Sequence, residues 1–340
     1  MATFTGRMTL AELVKREDPN GQAAELVDAI SQVNAILEDT MMIECNNGNF
    51  HQATRVAEEP SGTTRAYNAG ISPTVGVTEV ITEPVAMIDN LWQADEALML
   101  HSANPAKERL DEEELHIKGM AKQFASIIFD GNRDTDPNTI QGINNRDDYK
   151  NLGTGYVYDN AKGDASATAN KSSIYVIQHG KKRFTLLHPR NDPGTGGSYG
   201  IKKKDMGIDL VADSIATTKV YPAVRTWFEL HFGMFIYDAR MVKRMCNIST
   251  TNIDGVDDFS WDEEIMFDML GDLEDNGDGA VIYCNKTILA QIRKRSNVKG
   301  NGYFTESKGE GPFARPVLFF DGIPIHRVDQ ITNVQAQVTT

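Results

Sequence analysis

The chain has 340 residues, enough for one large domain or two to three smaller ones, each able to bury a core. Its hydrophobic content of 40% and charged content of 24% are those of a globular protein, and no run approaches the ~18 apolar residues of a membrane span. The formal net charge of −14 opposes a protein whose affinity rests on neutralising many phosphates.

Residues 1–7 lack the apolar stretch of a secretory signal. Cys45, Cys246 and Cys284 are far apart, odd in number and form no CxxC, so buried free thiols in a reducing compartment are expected. Residues 8–17 form a short amphipathic helix with Met8, Leu10, Leu13 and Val14 on its apolar side. After the Pro19-Asn20-Gly21 break, a second helix is expected over residues 23–38, with Leu26, Ala29, Ile30, Val33 and Leu37 on one face. The first piece is an arm, placed by contacts with something else.

From residue 42 to 88 the character changes to extended chain. Strands are expected over 50–57 and 75–84, flanking about 17 polar, turn-rich residues, as a long hairpin with a mobile tip. Its middle has few large apolar residues and holds no core of its own, so it is either disordered or supported by a neighbour, and a helix-rich protein favours the neighbour. A long amphipathic helix follows over residues 105–129. Asn104 is its N-cap, Pro105 sits in the first turn, and Glu108 with the acidic run Asp111 to Glu114 suits the positive end of the dipole. Leu110, Ile117, Ala121, Phe124 and Ile128 define its apolar face, and Gly131 supplies a left-handed stop. At 1.5 Å per residue it reaches roughly 37 Å.

Residues 130–170 are loop with short extended pieces. A hairpin is expected from strands at 172–176 and 183–189, with His179 and His188 facing across it as polar surface. Lys202, Lys203 and Lys204 fall in a charge-mixed solvated loop, residues 224–235 form a strand, and 239–246 a short helix. An acidic helix at 261–270, a buried strand at 280–283, a basic helix at 286–295 and a strand at 323–328 complete the chain.

No enzyme motif survives a check of its spacing. The seven histidines form no HExxH or HxH, and Gly194-Thr195-Gly196-Gly197 has no following GK[ST]. Asp272 opens like a calcium loop, but Tyr283 occupies the position that needs a bidentate glutamate, which leaves an acidic turn between helix and strand. No catalytic residue, cofactor or metal is expected.

The order of elements resembles the major capsid protein of tailed bacteriophages, the Hong Kong 97 fold. Four stretches carry the likeness: Asn49-Phe50-His51 through Arg65-Ala66-Tyr67-Asn68-Ala69-Gly70; Phe129-Asp130-Gly131-Asn132 with 137–146; Ser173 to Val176 with His179-Gly180, Leu187-His188-Pro189, Gly200 and Asp205-Met206-Gly207; and Phe320 to Ile325 with Asp329. Together they are most similar to the capsid proteins typified by the epsilon-fifteen and Bordetella short-tailed phages.

The resemblance implies an α+β fold with an N-terminal arm (1–45), an extended loop (46–88), and a peripheral domain (89–258) carrying a spine helix at 105–129. An axial-domain-like segment (259–340) closes the chain. Because that segment comes last and strand-rich material precedes it, a connectivity permuted from the commonest version of the fold is expected. The implied function is self-assembly into pentamers and hexamers of an icosahedral head around double-stranded DNA, which is enclosed by proximity and not read by sequence. Implied partners are further copies of the chain and scaffolding, portal and cement or decoration proteins, with no membrane. Assembly would take place in the host cytoplasm. Inter-subunit contacts are expected at Phe50, His51, Arg55, Arg65, Tyr67, Arg109 and Glu113. Two other readings stand beside this one, a decoration or tail protein and a cytosolic α/β enzyme with a lid hairpin.

Overall fold

The computed structural model describes residues 35–102, 104–164, 170–190, 201–212, 219–251, 259–296, 304–307 and 317–339. The described chain enters through helix α1 (Ala35–Asp39) and strand β1 (Met42–Glu44), then makes a long hairpin of β2 (Phe50–Glu58) and β3 (Val77–Pro84). β4 (Ala86–Asp95) and α2 (Glu96–His101) lead into the spine helix α3 (Pro105–Asp130). After it come α4 (Asp147–Lys150), β5 (Val157–Asp159), β6 (Lys171–Gln178), β7 (Phe184–His188), β8 (Lys202–Ala212), β9 (Val220–Ile236) and β10 (Val242–Ser249). The last part runs α5 (Glu263–Gly271), β11 (Ala280–Cys284), α6 (Lys286–Ser296), β12 (Phe304–Ser307), β13 (Val317–Phe320) and β14 (Ile323–Arg327). The expected arm helix at 8–17 and the Gly194–Gly197 turn lie outside the described residues, as does most of the helix expected at 23–38.

The described chain falls into two units. The first holds Met87–Ala125 and the described part of 201–231. Here β9 pairs antiparallel with β8, from Lys202↔Glu229 to Ala212↔Val220, and lies beside β4. The first 21 residues of the spine helix cover this sheet: Met120 and Phe124 are buried, and His116 stacks on Phe228 with 5.6 Å between ring centroids. Asn104 caps the helix as expected, its Oδ1 accepting from Lys107 N–H at 3.2 Å.

The second unit holds the rest of the described chain and is built on a seven-stranded sheet, in the order β12-β13-β14-β11-β6-β10-β5. β6 and β10 lie inside the sheet, and every residue of both is buried. Helices α5 and α6 cover it, placing Met266, Met269, Ile288 and Ile292 against Ile174, Val176, Met245 and Ile282. β1 and β7 pair in parallel nearby, and β7 pairs with the last residues of β9. Cys45, Cys246 and Cys284 are buried free thiols, as expected, and burial pushes Cys45 up to about 11 and the other two to about 12.

The end of the spine helix is a seam of backbone against backbone. Gly131 N–H donates to Ile127 O at 2.9 Å, and Gly142 N–H donates to Gly131 O at 2.8 Å. A Cβ on Gly131 would sit 2.6 Å from both Ile127 O and Ile140 O, and one on Gly142 would sit 2.6 Å from Gly131 N. Asn145 Nδ2 donates to Asp130 O at 3.1 Å and to Gly131 O at 2.9 Å, satisfying carbonyls that a helix end leaves open. Gly131 is therefore required for close approach. The left-handed stop expected there does not occur, because Gly131 is not among the positive-φ glycines.

Four further expectations are corrected. β6 and β7 do not form a hairpin: both edges of β6 are taken by β10 and β11, so the chain leaves the sheet at Gly180 and β7 joins another. Residues 239–246 are a 3₁₀ turn (Ala239–Met241) followed by β10, because the site between β6 and β5 overrides helical propensity. Lys202, Lys203 and Lys204 open strand β8, not a loop. The apolar face of the spine helix holds only in its second half. Phe124 and Ile128 are buried, whereas Leu110 is 61% exposed and Glu113 takes a buried position.

Gly131→Ala and Gly142→Ala are each expected to destabilise the purified subunit by about 1–3 kcal/mol through overpacking. Gly119→Ala, mid-helix with nothing within 4 Å of its Cβ position, should stabilise it by about 0.5–1 kcal/mol. Urea unfolding followed by circular dichroism checks all three. A neutral Gly131→Ala would remove the close-approach account of the helix end.

Candidate assembly surface

The two faces of the β2–β3 hairpin differ in chemistry. Ala53 pairs with Ile81 across the strands, and both pack on Cys45, Leu187 and Phe235 of the second unit's core. On the same side His51 is nearly buried, its Nε2 3.1 Å from Tyr237 Oη and its ring edge-on to Phe235, and burial lowers its pKa. Arg55 pairs with Glu79 at 2.9 Å, and Glu83 with Arg146 at 2.6 Å. That last pair is nearly buried, at 13% and 14% exposure, and it ties the base of the hairpin to the loop that follows the spine helix.

The opposite face carries Gln52, Thr54 and Val56 beside their partners Thr82, Val80 and Thr78. All six are exposed, with Val56 and Val80 at 60% and 56%. None of the six is charged, and five of them, all but Gln52, are β-branched threonine or valine. Strand alternation puts these residues together, since a period of two sends every second side chain to one side. Beyond the strands Tyr67 is fully exposed, and Arg65 Nη1 donates to Ala69 O at 3.0 Å within the tip turn.

Phe50, His51 and Arg55 thus lie along β2, with Phe50 paired to Pro84 at the base, and Arg65 and Tyr67 lie at the tip. Arg109 and Glu113 belong to the first unit. Glu113 is 3% exposed, and its carboxylate accepts from Thr226 Oγ1 at 2.9 Å, from Arg109 Nε at 3.0 Å and from Lys203 Nζ. Arg109 also pairs with Asp205 at 2.7 Å, and its guanidinium carbon lies 5.9 Å from the Trp92 ring centroid. Burial pushes the Glu113 carboxyl up, but the bonds from Lys203, Thr226 and Arg109 outweigh it and hold the group below its ordinary range.

Sequence reasoning missed Arg146 and Glu83, which are 63 positions apart and share no local pattern. It also misplaced His179. The imidazole does not face His188; it lies in the second unit's interior, with Nε2 2.8 Å from Tyr283 Oη and Nδ1 3.2 Å from Thr40 Oγ1. His188 turns its Nδ1 toward Pro189 O, 3.2 Å away.

Comparison with known proteins decides the family. A profile of the family "Major capsid protein GP7" matches residues 18–339. The chain belongs to the major capsid protein GP7 family. It is similar over the whole of both chains to a cryo-EM structure of bacteriophage Epsilon15, with 28% identity and a TM-score of 0.74. Weaker likenesses are the bacteriophage JBD30 capsid and the holo-SrpI encapsulin complex of Synechococcus elongatus. The first has 9% identity over 90% of this chain and 93% of that one, with a TM-score of 0.48. The second has 11% identity over 68% and 94%, with a TM-score of 0.46. No curated protein matches the chain. The capsid protein has the α+β fold of tailed-phage capsids, close to that of Epsilon15, and as a structural protein of the virion it forms the icosahedral shell. Among the described residues of this capsid protein, no helix is long and apolar enough to cross a membrane.

Because the folded Glu113 pKa lies below its unfolded value near 4.5, the carboxylate's stabilisation is present above pH 4.5 and is lost as pH falls through the folded value. Glu113→Gln should lower subunit stability at pH 7 by about 1–3 kcal/mol, and the gap to wild type should narrow below pH 4.5. Unfolding midpoints measured from pH 3 to 7 check this. A gap that is constant with pH would show that the loss is not of the charge.

Proposed function

We propose that the β2–β3 hairpin, with its tip, is the extended loop through which copies of this capsid protein hold one another in pentamers and hexamers of the head. Residues 46–88 form that loop, 1–45 the arm, 89–258 the peripheral domain and 259–340 an axial-like segment, which shares its sheet with β5, β6 and β10. The connectivity is permuted from the commonest version of the fold, since the peripheral strands β8 and β9 lie mid-chain between β6 and β10.

The uncharged outer face of the hairpin carries this reading. A two-stranded ribbon is marginal alone in water and needs a third layer. Its inner face already has one; its outer face, with Thr54, Val56, Thr78 and Val80, has none within the described subunit. A neighbouring copy supplies the cover at little desolvation cost, because the face bears methyl groups and hydroxyls and no charge. Phe50 and His51 anchor the loop at its base, Arg55 is held by Glu79 on the inner face, and Arg65 and Tyr67 meet the neighbour at the tip. Arg109 and Glu113 brace the helix surface at a subunit boundary.

The role is structural and not catalytic. Scaffolding, portal and decoration proteins are its other partners during assembly. The net charge of −14 suits enclosure of double-stranded DNA by proximity, with little phosphate neutralisation by the shell wall.

Replacing residues 55–80 with a two-residue turn should leave a folded subunit that builds no stable shells. Circular dichroism with urea unfolding tests the fold, and negative-stain microscopy with sedimentation tests assembly. Normal particles from the shortened chain would overturn the proposal.

A further inference from the structure

The sheet of the first unit carries the spine helix on one face, and that face outruns the helix. Every second residue of β9 points to it. Phe228 stacks on His116, and Thr226 Oγ1 donates to Glu113 at 2.9 Å, so both are buried. Toward the start of β9 the same series continues as Val224, Pro222 and Val220, and the first two pair with Ile208 and Leu210 of β8. Here the cover ends among the described residues. Val224 is partly buried and Pro222 exposed, while Ile208, Leu210 and Val220 keep 60%, 66% and 56% of their surface. Met206, at the bulge between Asp205 and Gly207, adds one more exposed apolar side chain. The opposite face is polar and engaged: Arg225 pairs with Asp209 at 3.2 Å, and Tyr221 Oη accepts from Gln93 Nε2 at 2.6 Å. A contiguous apolar patch without a charge in it marks a surface that something covers.

The chain itself carries a segment suited to this cover. Residues 8–17 read Met-Thr-Leu-Ala-Glu-Leu-Val-Lys-Arg-Glu. Thr9 and Glu12 have the spacing of a capping box, and Met8 and Leu13 that of the hydrophobic staple which accompanies it. Two such signals together specify a helix start. At 100° per residue they leave Leu10, Leu13 and Val14 on one side and Glu12, Lys15 and Arg16 on the other. A helix this short is marginal in water unless an apolar surface receives it. The lengths agree: residues 9–17 make about 13 Å of helix, and residues 208–212 or 220–224 make about 16 Å of strand. Residues 18–34, which lead from this segment to α1, reach up to about 56 Å when extended.

We propose that residues 8–17 dock on the bare end of the β8–β9 face of their own subunit. Leu10, Leu13 and Val14 meet Ile208, Leu210, Val220 and Pro222, so apolar surface leaves water on both partners. Glu12, Lys15 and Arg16 stay on the solvent side, and no charge is buried. The segment extends the helical layer that the spine helix begins, and the sheet face is then covered along its length. Tethering favours this occupant over a second copy, because a linked segment meets its site at an effective concentration of about a millimolar. The docking is independent of the β2–β3 hairpin, which belongs to the other unit.

Limited trypsin digestion of the full-length subunit reads the docking, since Lys15 and Arg16 lie inside the segment. Leu210→Asp changes an exposed side chain, so circular dichroism should show the fold intact, while cleavage after Lys15 and Arg16 speeds up by about tenfold. Val56→Asp, on the outer face of the hairpin, should leave that cleavage rate as it is in wild type. The occupant is identified by pairing Leu10→Cys with Leu210→Cys, which should close a disulfide within one chain under mild oxidation. Equal cleavage rates in wild type and Leu210→Asp would overturn the docking. A disulfide found only between two chains, or none at all, would overturn its assignment to the same subunit.

Discussion

The close seam at the end of the spine helix is the constraint on which the second unit depends. A helix end inside a protein leaves carbonyls that must find donors, and here the donors come from the chain's own return, within fifteen residues. Gly131 and Gly142 let two backbones meet without side chains between them. Asn145 covers two carbonyls, while Asn144 Nδ2 bonds Asp130 Oδ1 at 2.6 Å and its Oδ1 accepts from Tyr175 Oη at 2.6 Å. Tyr175 stands in β6, so the seam fixes a strand inside the large sheet. Arg146 follows at once and reaches Glu83 in β3. A short run of residues thereby sets the helix end, the sheet and the base of the hairpin together.

Much of this was legible in the sequence because it is local. The hairpin strands, the spine helix, α5, β11 and α6 each follow from a period, a cap or a turn within a dozen residues. The failures share a physical cause, which is that a distant partner decided the outcome. β10 reads as a helix until β5 and β6 take both its edges. His179 reads as surface until Tyr283, 104 positions away, brings its Oη to 2.8 Å from the imidazole Nε2. The apolar stripe of the spine helix fails in its first half because Lys203, Arg109 and Thr226, distant in sequence or read as surface, satisfy a buried Glu113. Of the assembly surface, the hairpin was legible from its lack of a core. The division into a packed face and an uncharged open face needed the register.

Charge and assembly are reconciled by that division. A subunit with net charge −14 repels its copies at long range, though salt confines the effect to about 10 Å. Contacts that add charge to charge would worsen the repulsion, and contacts that bury unpaired carboxylates would carry a large desolvation cost. A ribbon of threonine and valine avoids both. In the proposed assembly each such contact would be modest in energy, so misplaced subunits could leave before the shell closes, while the total over many copies would be large.

Glu113 and Asp39 show how different partner chemistry can hold the same acceptor group. Glu113 is held by arginine, lysine and a hydroxyl, whose protonation does not change between pH 4 and 8. Its network is insensitive to pH until the glutamate itself titrates. Asp39 is held by a phenol and an imidazole, with a second imidazole one hydrogen bond further on. Glu113 is almost fully buried, with 3% of its side chain exposed, whereas the Asp39 side chain keeps 22%. The two carboxylates differ in exposure and in the residues that hold them: cations and a hydroxyl for Glu113, a phenol and an imidazole for Asp39.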